Sequence, residues 1–155
     1  MPGRTSKIVI AGLLGGFAGN AVLGALFSSA PLHAILYNPS LQSRLFLEIT
    51  PLRNIPASVA GLVILSIIHG WLFALVSRSI PGTTWLARGA FFGLVIWLMY
   101  WVFQEWFIYN TLLGEPILLN LVELAVLLVG SVVEGILIAF VLREWPQRES
   151  AAHAW

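Results

Sequence analysis

Apolar residues in this chain do not alternate with polar ones. They gather into four long runs, at residues 8–29, 55–77, 85–109 and 116–142. A helix needs about 20 mostly apolar residues to cross a hydrocarbon core of about 30 Å. Each run meets that length. Pro56, Pro81 and Pro116 fall at helix starts or in turns, where a missing N–H costs little. The pattern predicts an all-α fold: an integral membrane bundle of four helices, forming a single transmembrane domain over residues 1–155. The connections are short. The longest is the first, residues 30–54, and a tail follows at 143–155.

Arg4 and Lys7 precede the first run, and Ser28, Ser29 and Ala30 follow it, as in a secretory signal. The run is about 22 residues, however, against 7–15 for a signal-peptide core. Pro31 would also lie just past the scissile bond. The first run is therefore read as a retained signal-anchor helix.

The 30–54 connection has its own pattern. Asn38-Pro39-Ser40 reads as a turn and helix cap. Leu41, Leu45, Leu47 and Ile49 then interleave with Gln42, Arg44 and Glu48. This predicts a short amphipathic helix on the outer membrane surface, or a plug over a cavity.

Composition agrees. Hydrophobic residues make up 59% of the chain and charged residues 10%, against roughly 25% charged in soluble domains. A soluble enzyme and a disordered chain are both excluded. A net charge of +1 excludes a polybasic nucleic-acid binder. The absence of cysteine excludes disulfides, thiol chemistry and Cys-ligated metal. With the N-terminus inside, Arg4, Lys7, Arg78, Arg88, Arg143 and Arg148 lie on the inner side, and only Arg44 and Arg53 outside. That asymmetry places both termini in the cytoplasm, by default at a bacterial inner membrane. Trp85, Trp106, Tyr109 and Trp145 lie near helix ends, as interfacial anchors do.

The second run repeats in the fourth at a shift of 65 residues. Ala60, Leu62, Ser66, Gly70, Leu72, Ala74, Val76, Arg78 and Pro81 all recur, giving 9 identities in the 24 positions from Ser58. Gly12 and Gly16 of the first run more loosely match Gly89 and Gly93 of the third. The unit is a hairpin with an even number of crossings. Two copies are parallel repeats about an axis along the membrane normal, and inverted repeats are excluded.

On the fourth helix Asn120, Glu123, Leu127, Ser131 and Glu134 share one face at about 100° per residue. Intramembrane carboxylates normally face the bundle interior or a cavity, and are candidates for function. The competing reading of each is a structural hydrogen bond. His69 stands nine residues before Arg78, and Glu134 nine before Arg143. They occupy repeat-equivalent positions at one depth, which predicts a His69–Glu134 contact. It is read as a polar clamp or a proton-handling pair, with Ser66 and Ser131 beside it. Gln104, Glu105, Asn120 and Glu123 form a candidate outer polar pocket.

No motif implies a cofactor, and no metal site is assigned. Bis-histidine haem within one chain fails, because His33 lies in the outer connection and His153 in the tail. The aromatic run from Trp97 to Phe107 faces lipid, a partner, or a pocket for a lipid, quinone or pigment. Gly12, Gly15, Gly16 and Gly19 form a small-residue stripe that lets another helix approach closely, from this chain or another. Three functions fit these features. The first is a small membrane protein acting by binding or assembly, as a homo-oligomer or part of a larger complex, with membrane lipids and no nucleic acid as partners. The second is a small transporter or proton-linked conduit along the fourth helix. The third is a membrane enzyme or cofactor or lipid protein centred on His69 and Glu134.

Overall fold

The computed structural model describes residues 2–48 and 54–143. All regular structure among them is helical: α1 (Pro2–Phe27), α2 (Ala30–Leu36), α3 (Arg44–Glu48), α4 (Ile55–Val76), α5 (Trp85–Ile96) and α6 (Ile117–Val141). Beyond α5 the third apolar run continues as wider π-helix, over Trp97–Trp101 and Gln104–Leu112. Four helices are long and apolar enough to cross a membrane: Gly3–Phe27, Ile55–Val76, Trp85–Leu112 and Ile117–Val141. They form a helical bundle. α1 starts at Pro2 and takes in the polar turn before residue 8.

Local chemistry sets the helix ends. The Asn54 side chain accepts from Ala57 N–H at 3.1 Å, with Pro56 in the first turn of α4. Thr84 caps α5 in the same way, accepting from Ala87 N–H at 3.1 Å. Such caps satisfy N–H groups that have no partner within the helix. Gly114, at φ +70°, turns the chain between the third and fourth spans.

The spans pack in the order α4, α1, α6, α5. α1 packs closely on α4 and α6, and α6 on α5, while α4 scarcely meets α6. The glycine stripe explains the central position of α1. A methyl on Gly12 or Gly16 would strike Ser66 of α4; one on Gly15 or Gly19 would strike Glu134, Ile138 or Gly130 of α6. The stripe therefore serves two neighbours, both within the chain. Gly93 and Gly135 bring α5 and α6 equally close.

α4 and α5 lack close packing along their length. The rings of Phe73 and Phe92 meet edge-to-face there, at 5.2 Å. They belong to an apolar core with Ile8, Ala11, Ile138 and Leu142, near the end that carries the N-terminus. Toward the other end, α4 and the third span stand apart.

The 30–54 connection holds the expected short helix, α3, and a second, α2, that was not expected, and Asn38 caps neither. Its Oδ1 instead accepts from Ser40 N–H and Oγ–H at 3.0 and 2.8 Å, closing a tight turn. α2 was missed because Ser28 to Pro31 resembled a processing site. Pro31 in fact occupies the first turn of α2, where proline fits best. Leu36 is buried, and Leu32 packs with Leu23, Val126 and Leu127. Ser43 Oγ–H donates to the Leu113 carbonyl at 2.9 Å, tying the connection to the end of the third span. Ile49 and Arg53, and Trp145, Arg148 and His153 of the tail, lie outside the described residues.

Candidate functional site

α4 carries His69, and α6 carries Glu134. The His69 Nδ1 lies 2.7 Å from Glu134 Oε1. Glu134 is buried and His69 half-buried. The second ring nitrogen, Nε2, is not used by this contact. Few other contacts join α4 to α6, so this pair bridges the two.

The pair borders a cavity of about 290 Å³ between α4 and the third span. Gly61, Leu62, Leu65 and Ser66 form one wall, Ile96, Tyr100 and Trp101 the other, and Asn20 of α1 adjoins. Ser66 Oγ–H donates to the Leu62 carbonyl at 2.6 Å, so its proton is held within α4. Ser131 does not line this cavity; its backbone carbonyl abuts Gly93 of α5. Its hydroxyl is buried without a hydrogen-bond partner. Along α6, Gly130 and Glu134 meet α1, while Gly135 and the Ser131 backbone meet α5.

The four expected outer residues do come together. Asn120 is fully buried; its Nδ2 donates to the Glu105 carbonyl at 2.8 Å and to Glu105 Oε2 at 3.2 Å. A carboxyl oxygen of Glu105 and one of Glu123 lie within 4.8 Å of each other. Gln104 Nε2–H donates to Tyr109 Oη at 3.2 Å. The five-residue spacing of that pair equals the span of the i→i+5 backbone bond of a π-helix. Gln104, Glu105, Tyr109 and Glu123 line a second cavity, of about 490 Å³, which Tyr37 at the end of α2 also lines. Asn20 and Trp101 border both cavities.

Sequence reasoning missed Glu115. It sits in the turn before α6, yet it is only 5% exposed. Gly114 reverses the chain, Glu115 N–H bonds the Tyr109 carbonyl at 2.9 Å, and Asn110 Nδ2–H bonds the Glu115 carbonyl at 2.7 Å. Those bonds fold its carboxyl back onto Glu105 and Glu123. Burial, and then the charge of Glu123, push its pKa up to about 7. The one sequence signal was an acidic residue beside a glycine turn at the end holding four other polar groups.

Residues 6–153 match the model of a family of unknown function, DUF6789. The chain belongs to DUF6789. No curated protein and no solved structure matches it. For this DUF6789 member, function is argued from the two cavities themselves.

Proposed function

We propose that this DUF6789 member is a membrane-embedded binding protein. Its ligand is a membrane-soluble molecule with an apolar body and a hydrogen-bonding head. The body lies between α4 and the third span, and the head meets His69 beside Glu134. The observation that carries this reading is the gap between two spans with a buried polar pair at its base. Lipid could fill an unpacked gap, but an apolar gap would need no His–Glu pair. Leu62, Leu65, Ile96, Tyr100 and Trp101 give the walls aliphatic and aromatic surface, and Asn20, Ser58, Ser66, His69 and Glu134 give them polar groups, which suits an amphipathic ligand. Photo-crosslinking with a diazirine-bearing amphiphile in nanodiscs tests it. Labelling concentrated on Leu62, Leu65 and Tyr100 supports the site; even labelling around all four spans contradicts it.

The positive-inside count supports both termini facing the cytoplasm, with the acidic cavity on the outer side of a bacterial inner membrane. Two contacts support the hairpin duplication. Gly70 abuts the Ile8 carbonyl and Gly12, and Gly135 abuts the Gly89 carbonyl and Gly93. In that register Gly12 corresponds to Gly93, one helical turn beyond the Gly89 that the sequence match suggested.

A second reading, a proton-linked conduit, is favoured by one observation: Asn20 and Trp101 border both cavities. Beyond His69 the interior becomes apolar, so a conduit would have to open there. Proton flux into liposomes, abolished by Asn20→Leu, would favour it over simple binding.

A further inference from the structure

We propose that Glu105, Glu115, Glu123 and Asn120 bind one divalent cation of calcium or manganese size, at the end of the bundle where the third and fourth spans join. This site is separate from the His69 cleft and goes beyond the binding role proposed there. One oxygen from each of the three carboxyls lies within 4.8 Å of the others. Oxygen ligands sit 2.3–2.6 Å from calcium, so oxygens on opposite sides of one ion stand about 5 Å apart. The three come from different elements, Glu105 from the π-helix, Glu115 from the turn and Glu123 from α6, so the fold brings them together. Among the described residues no lysine, arginine or histidine pairs with any of them.

Three carboxyls this close need compensation, by protons or by a cation. The orphaned oxygens favour a cation. Glu115 Oε2 and Asn120 Oδ1 are buried and have no hydrogen-bond partner. Both residues are more than nine-tenths buried. The Asn120 orientation is fixed, because Nδ2 already donates to two Glu105 oxygens. A proton shared by Glu105 and Glu123 would satisfy that pair alone. It would leave Glu115 Oε2 and Asn120 Oδ1 buried beside that pair with no donor. A cation satisfies carboxylates and amide oxygen together. An all-oxygen set selects a hard divalent ion, and the adjoining cavity lined by Glu105 and Glu123 gives it a way in.

The test uses the full-length protein in detergent, stripped with a chelator and titrated with Mn²⁺ alone. Bound Mn²⁺ is read by electron paramagnetic resonance, with Ca²⁺ as competitor. The expected result is saturable binding of one ion per chain, displaced by Ca²⁺. Glu123→Gln and Glu115→Gln should each weaken it at least about tenfold. Glu115 lies in a turn outside the spans, so its variant remains informative where Glu123→Gln fails to fold. No saturable binding by the wild type overturns the proposal. So does equal binding by both variants. Either result means that protons and water hold the cluster.

Discussion

His69 Nδ1 and Glu134 Oε1 meet at 2.7 Å although 65 residues separate them in sequence. The bond joins two helices, α4 and α6, that otherwise scarcely touch. It follows that α4 is held by α1 along one side and by this pair across the cleft. Removing either partner strands the other. His69→Ala leaves a buried carboxylate without its donor, which costs about 1.5–3 kcal/mol. Thermal or SDS unfolding of the two single variants and the double variant measures the coupling. The double should be less destabilised than the sum of the singles.

The glycine contacts predict a division by position. Gly12→Ala drives a methyl into the Ser66 carbonyl, and Gly93→Ala drives one into the Ser131 carbonyl. Neither backbone can yield locally, so each should lose about 1–3 kcal/mol. Gly61 has open space where its side chain would be. Gly61→Ala should be neutral or gain about 0.5–1 kcal/mol in helix propensity. Thermal midpoints of the three variants check the division.

Trp97 Nε1–H donates to the Leu124 carbonyl at 2.8 Å, at the point where α5 gives way to π-helix. A π-helical stretch is a rare departure from the α-helix, and this side chain anchors it to α6. Trp97→Phe should cost about 1 kcal/mol. Hydrogen exchange should quicken over residues 97–101 more than over α5.

Glu115 sets a pH dependence in chelator-treated protein. Its folded pKa, about 7, lies above its ordinary value of 4.5. The folded state therefore holds the proton more tightly than the unfolded state does. Its stabilising contribution is complete below pH 4.5 and is lost as pH rises through 7. The slope is at most about 1.4 kcal/mol per pH unit. The thermal midpoint should fall from pH 5 to pH 8, and Glu115→Gln should flatten that fall.

The four spans were legible because a membrane imposes a length on apolar runs, and no soluble element competes for that pattern. The His69–Glu134 contact was legible from depth and from the 65-residue shift. The faces of α6 were not. A helical wheel puts Ser131 with Glu134, but two neighbours divide that wheel, and only packing says which takes each side. The π-helical turns were also hidden, because their wider period has no signature in the aromatic run from Trp97 to Phe107. Glu115 escaped because a turn residue reads as solvated until Gly114 is known to fold it back. α2 escaped because its first turn resembled a cleavage site.

The central claim is that the cleft between α4 and the third span holds a ligand. Native mass spectrometry of the protein released gently from nanodiscs tests it most directly, with Gly61→Phe as the comparison. Gly61 lines the cleft without packing against another helix, so a phenylalanine there fills the cavity and leaves the bundle intact. The account predicts one small amphipathic molecule retained per wild-type chain and none on Gly61→Phe. A wild-type chain that emerges bare, or a variant that retains the same molecule, would contradict it.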